Sequence, residues 1–111
     1  MSKHRRNYRE HFLRTAPVGN RDSLVLGAMG LAGETGEVVD LLKKHLFHSK
    51  ELDRDKLILE LGDVRWYMEC IITSIKSSME EVEDRNVEKL LRRFPKGFNP
   101  EDAEAKKDVT P

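Results

Sequence analysis

With Cys70 as its one cysteine, the 111-residue chain has no thiol to pair internally, and a reducing compartment is the natural setting. Cys70 lies in an apolar run, an environment that argues against a catalytic thiol. An excess of one charge is also missing, since 20 lysines and arginines balance 20 aspartates and glutamates. That removes the electrostatic case for gripping a nucleic-acid backbone over a long surface, and the short basic run from Lys3 to Arg6 does not restore it. No apolar run approaches the ~20 residues needed to span a bilayer, and the N-terminus lacks the apolar core of a signal peptide. There is no strand alternation, no sequence repeat and no glycine-rich phosphate loop of the P-loop kind. The expectation is a soluble, cytoplasmic, all-α protein with no nucleic-acid and no membrane partner.

The helices can be placed from their apolar spacing and caps. Residues 3–14 carry Tyr8, Phe12 and Leu13 on one stripe and predict a short helix, broken at Pro17 and Gly19. Asn20, Asp22 or Ser23 can cap a second helix ending near Phe47, and Asp53 or Asp55 a third. The polar connection between them, His48 to Arg54, is short enough to make the two helices antiparallel neighbours. The third helix is apolar nearly all round, from Leu57 through Ile75, so part of its surface is expected to meet another subunit. Ser78 followed by Glu81 is a capping-box pattern that starts a fourth helix reaching about Arg93, which Pro95 and Gly97 end. Residues 1–95 read as a single domain and residues 96–111 as a polar, flexible tail.

Chemistry concentrates between Ala28 and Tyr67. Glu34/Glu37 and Glu60/Asp63 are carboxylate pairs three residues apart in apolar helical contexts, so each pair shares one helix face. Two such faces turned toward each other would converge four carboxylates, a tolerable arrangement only with a hard cation, and oxygen ligands suit Mg²⁺ or Mn²⁺ better than zinc. Spacing alone is weak evidence, because Glu80/Glu83 and Glu81/Asp84 repeat it in a charge-rich segment that reads as solvated surface. The neighbouring glycines add weight: Gly27, Gly30, Gly33, Gly36 and Gly62 each cost a helix about 0.5–1 kcal/mol against alanine. Close helix approach, or room for a phosphate beside the backbone, would account for them. The bland alternative is a small-residue packing stripe with surface acids beside it.

Three blocks, GLAGETGEVVDLLKKHLFH, DKLILELGDVRWYMECI and RNVEKLLRRFPKGF, together resemble the MazG-like family of all-α nucleoside triphosphate pyrophosphohydrolases from roughly Leu24 to Phe98. The resemblance implies an all-α, four-helix bundle-like fold, and the apolarity of the third helix makes it the expected main part of a subunit interface. It implies that Glu34, Glu37, Glu60 and Asp63 bind Mg²⁺, and that a nucleoside triphosphate is cleaved between its α and β phosphates to a monophosphate and pyrophosphate. It sets Tyr67 against the base and brings Asn86, Lys89 and Arg93 toward the nucleotide. By the chemistry alone, Glu34 or Glu37 would take the proton of the attacking water, and Lys89, Lys56 or an arginine of the Arg92/Arg93 pair would offset charge on the leaving group. The apolar surface of the third helix predicts a homodimer or homotetramer.

Rival readings follow from the same residues. A member selective for dUTP, dCTP or a modified nucleotide would keep the same signature, and so would an inactive helical interaction module. A di-iron carboxylate bundle needs a Glu-x-x-His pattern that occurs nowhere in the chain. His45 and His48 lack the Cys/His partners of a zinc site, and cations suit a helix C-terminus in any case. Tyr67 as an ordinary core aromatic, and Lys56, Lys89 and Arg93 as surface charges, are the corresponding structural readings.

Overall fold

Two capping side chains set the helix starts that the sequence predicts. Asp53 accepts the Lys56 backbone N–H at 3.0 Å, and Ser78 accepts that of Glu81 at 3.1 Å, each satisfying an amide that the first helical turn leaves without a partner. The computed structural model describes residues 7–16 and 21–105. Among these residues the fold is all-α, with α1 (Tyr8–Leu13), α2 (Arg21–Phe47), α3 (Arg54–Ser74), α4 (Met79–Arg93) and α5 (Pro100–Ala105), and no strand. The contact pattern divides the chain into two units, Met1–Lys76 with α1 to α3 and Ser77–Pro111 with α4 and α5.

Among the described residues the first helix is Tyr8–Leu13, and residues 3–6 of the predicted one, like Asn20, lie outside the described residues. Two sequence expectations need correction. Asp22 and Ser23 fall inside α2 and not before it, and Ser23 is buried. Within the segment expected to be a loose tail, α5 forms because Asn99 accepts the backbone N–H groups of Glu101 (2.8 Å) and Asp102 (3.4 Å). Pro100 and two acidic residues fill its first turn, the arrangement that favours a helix start.

The end of α2 is closed by its own backbone. His48 and Lys50 both donate to the Lys44 carbonyl, and Ser49 between them takes a left-handed φ of 54°, where glycine is more usual. His45 Nδ1 lies 2.9 Å from the Lys50 carbonyl oxygen, so its ring serves this turn.

The core of the first unit is the seam between α2 and α3. Cys70 donates its S–H to the Ser23 carbonyl, Gly27 lies against Cys70 and Ile71, and Gly30 lies against the Tyr67 ring. Partners rise along α2 as they fall along α3, so the helices are antiparallel. A Cβ at Gly27 would stand 2.8 Å from Ile71 Cγ1, and one at Gly30 only 2.1 Å from Tyr67 Cε1. These two glycines are therefore close-approach residues. At Gly33, Gly36 and Gly62 a Cβ would meet nothing within 4 Å, so the five glycines do not share one reason.

The difference is testable. Gly30→Ala must push the aromatic ring off α2 and is expected to cost about 1–3 kcal/mol, as overpacking does. Gly33→Ala adds a methyl in open space and is expected to raise stability by about 0.5–1 kcal/mol through helix propensity. Thermal melts of the two variants should move in opposite directions.

Helix α1 docks on α3 through Phe12, which is 1% exposed and packs on Trp66 with ring centroids 5.1 Å apart. Charge completes the contact. Glu69 is 2% exposed within an apolar helix face, and its carboxylate accepts from Arg9, Arg65 and Thr73 at 2.9–3.1 Å. Three donors replace the water that burial removes, which is the condition for keeping a carboxylate inside.

Candidate metal centre

One turn along the seam from the Gly30–Tyr67 contact, the same antiparallel pairing brings acidic residues together. Glu34 on α2 and Glu60 and Asp63 on α3 each direct a carboxylate oxygen into one cluster, with all three atoms within 4.8 Å of one another. Among the described residues this is the one group with the composition and spacing to hold a metal ion. Glu37, the fourth predicted ligand, is exposed and stands one helical turn further along α2, outside the cluster. It still lies close enough for its charge to act on Glu34.

The electrostatics of the cluster ask for a positive charge. Glu34 Oε2 is buried and has no donor. Glu60 can bond to the Glu34 carboxyl only if one of the two is protonated, and that shared hydrogen bond is the main cause holding the Glu34 pKa above the ordinary carboxylate range. Partial burial and the charges of Asp63, Glu60 and Glu37 push it the same way. A proton is one way to satisfy the arrangement and a divalent cation is the other. The donor set is oxygen only, which fits a hard cation and not zinc or iron.

Beyond the carboxylates toward the C-terminal end of α2, charge changes sign. Lys44 pairs with Asp40 at 2.9 Å. Hydrogen bonding and charge from Lys44, helped by Lys43 and Lys56, hold Asp40 below the usual carboxylate range. Lys56, predicted to meet the leaving group, is thus on the same stretch of the α2–α3 hairpin. On the other side of the carboxylates, Tyr67 is half-buried, with its ring on Gly30 and 5.0 Å edge-on to Trp66. Along the hairpin the order is an aromatic ring, an acidic cluster and a basic cluster.

The remaining predicted residues belong to the other unit. Asn86, Lys89 and Arg93 follow the i, i+3, i+7 spacing that puts them on one face of α4, and the Arg93 guanidinium lies 6.0 Å from the Phe94 ring. The acids chosen as surface comparisons, Glu80, Glu81, Glu83 and Asp84, are all exposed. Glu81 accepts from Ser77 and Arg85 and does not close a capping box onto Ser78.

Sequence reasoning passed over Glu69, whose one signal was an acid inside an apolar run with Arg65 four residues before it. It also passed over the bond from Trp66 Nε1 to Thr15, 51 positions away, which nothing local announces.

Comparison with known proteins gives two matches. Residues 26–98 match the MazG nucleotide pyrophosphohydrolase domain, a span that includes every predicted site residue. A stretch of 73 residues is 37% identical to the Gene 37 protein of Mycobacterium phage L5, covering 62% of this chain and 64% of that protein. The chain thus spans a little under two thirds of that relative's length. No solved structure matches.

Proposed function

Because the chain belongs to the MazG nucleotide pyrophosphohydrolase family, we propose that it hydrolyses nucleoside triphosphates between the α and β phosphates, releasing a monophosphate and pyrophosphate. The observation that carries this reading is the Glu34–Glu60–Asp63 cluster with its buried, donor-less Glu34 oxygen. These three residues would hold Mg²⁺, with Mn²⁺ as a substitute. When bound, the ion supplies Lewis-acid polarisation of a phosphoryl oxygen and lowers the pKa of an attacking water.

The chain's own groups account for the rest. Glu37, outside the cluster and one turn from Glu34, accepts the proton of the attacking water. Tyr67 presents an aromatic face on which a base can stack, on the side of the carboxylates away from the lysines. Lys56 offsets charge on the departing pyrophosphate, and Asn86, Lys89 and Arg93 are the further residues proposed to bind nucleotide. The triphosphate would lie along the hairpin with its base toward Gly30.

The test is a panel of nucleoside triphosphates incubated with Mg²⁺, with products resolved by chromatography. Monophosphate and pyrophosphate are expected, and EDTA should stop their release. Diphosphate and orthophosphate as primary products would overturn the assignment.

Assembly is part of the same proposal. Ile58, Leu59 and Leu61 on α3 and Val25 and Met29 on α2 are exposed, with Leu59 and Met29 each 71% accessible. Apolar surface of this extent marks an interaction site, and a second copy of the chain is the expected occupant. Light scattering at micromolar concentration should return the mass of a dimer or a tetramer, and Leu59→Glu should shift it toward the monomer. A wild-type monomer mass would remove this part. No helix among the described residues is long and apolar enough to cross a membrane, and the buried Cys70 thiol suits a cytoplasmic setting.

A further inference from the structure

The geometry points to Trp66, held by Thr15 at the end of the N-terminal helix, as a positioning residue that fixes the Tyr67 ring for nucleotide binding. This rests on the nucleotide-hydrolase reading above and extends it to residues with no direct place in the chemistry. The Tyr67 ring is bounded on one side by the α2 backbone at Gly30, which leaves no room even for a methyl group. On another side stands the Trp66 ring at 5.0 Å, nearly perpendicular at 85°. The position of the indole therefore decides whether the Tyr67 ring keeps its place on Gly30 or tilts away.

One contact with α1 and one with the turn that follows it hold the indole. Phe12 packs on it at 5.1 Å, and its Nε1–H donates to Thr15 Oγ1 at 2.9 Å. The Thr15 hydroxyl can make only one donor bond, and that goes to the Phe12 carbonyl at 3.0 Å, so the indole meets an oxygen lone pair already oriented to receive it. An exposed threonine at a helix end would be unremarkable without this arrangement. Removing its hydroxyl releases the indole without touching the carboxylates or the Glu69 clamp that docks α1.

Thr15→Val and Thr15→Ser separate this role from general scaffolding. With the best nucleotide of the panel and saturating Mg²⁺, Thr15→Val is expected to raise KM about three- to tenfold, the net worth of one hydrogen bond, with kcat within about twofold of wild type. Thr15→Ser keeps the hydroxyl and should restore KM. Emission from Trp66, the single tryptophan of the chain, supplies a second readout. Titrating Mg²⁺ and a non-hydrolysable triphosphate should move it, with a midpoint that shifts in Thr15→Val as KM does. Calorimetric Mn²⁺ affinity of the nucleotide-free protein should not change. If Thr15→Val fails to fold, Trp66→Phe keeps a ring and loses the N–H, and should show the same KM rise. An unchanged KM, a fall in kcat alone, or a weakened Mn²⁺ affinity would each overturn the positioning role while leaving the hydrolase reading intact. A wild-type protein that neither binds nor turns over any nucleotide would remove the hydrolase reading itself, and the positioning role with it.

Discussion

Asp63→Asn is expected to lower turnover by at least about 100-fold and yet leave the metal-free protein no less stable than wild type. Loss of residues behind a metal ligand already costs 10- to 100-fold in comparable sites, so loss of a ligand sets a floor at the upper end. The stability half has the opposite sign from most substitutions at well-packed positions. Glu34, Glu60 and Asp63 hold oxygens within 4.8 Å of one another, and in the absence of a cation they repel. Neutralising one relieves the other two. Metal then reverses the ranking, because a ligand that binds only the folded state stabilises by RT ln(1 + [L]/Kd), and the variant has lost most of that gain. Glu80→Gln, on an exposed carboxylate with the same helical spacing, should keep both activity and the metal response. The assignment fails if Asp63→Asn stays active or melts well below wild type without metal.

The pH dependence of the metal-free protein follows from Glu34. Its folded pKa lies above the unfolded value, chiefly through the hydrogen bond shared with Glu60. The folded state therefore holds a proton that the unfolded chain has released. Stability should be greatest at acid pH from this group and should decline as pH rises from the ordinary carboxylate range, about 4–5, through the raised value. Saturating Mn²⁺ should flatten or invert that slope, because metal and proton compete for the same oxygens.

Glu69→Gln should destabilise the first unit by about 2–3 kcal/mol, on the order of 10 °C in melting temperature. The wild-type carboxylate is buried, and removing its charge leaves Arg9 and Arg65 facing a neutral amide. The two arginines stay partly exposed, at 43% and 29%, and solvent softens the loss below that of a fully enclosed pair. Burial pushes the Glu69 pKa up, but hydrogen bonds from Arg65, Arg9 and Thr73 and the Arg65 charge outweigh it and hold the group below the usual range. Its contribution is thus present above the unfolded pKa and lost as pH falls through the depressed one. The variant should lack that acid-side loss, so the two melting curves should converge at low pH. Mn²⁺ should still stabilise the folded variant, since Glu69 is no part of the metal cluster. Equal stability of variant and wild type at neutral pH would sink the argument.

What the sequence discloses depends on how local each cause is. Asp53 and Ser78 act within their own first turns, and the helix starts they predict are the ones observed. Asn99-Pro100-Glu101-Asp102 is equally local, and α5 was there to be read from an N-cap, a proline and two acids. Glu34, Glu60 and Asp63 were legible because helical spacing and a short connection dictate which faces meet. Glu37 shares that spacing but stands outside the cluster, since an antiparallel seam gives each turn of α2 its own partners on α3. Gly30 and Gly33 look alike in sequence, and only the arrival of Tyr67 from 37 positions away distinguishes them. Glu69 was hidden for the same reason, because its second arginine comes from α1.

The Tyr67 ring resting on Gly30 also acts as a detent between two rods. A helix pair joined by apolar contacts alone can creep along its axis, exchanging one layer of side chains for the next at little cost. Here a bulky ring drops into the backbone notch at Gly30, and sliding along the axis would lift it over the neighbouring side chains before it met Gly27 or Gly33. One turn is about 5.4 Å, more than the 4.8 Å within which the carboxylate oxygens gather, so a slip of that size would scatter them. An uncharged residue four positions before Glu34 thereby sets the calibration of the acidic cluster. Thermal motion along the seam would surface first as weakened metal affinity, ahead of any loss of helix content.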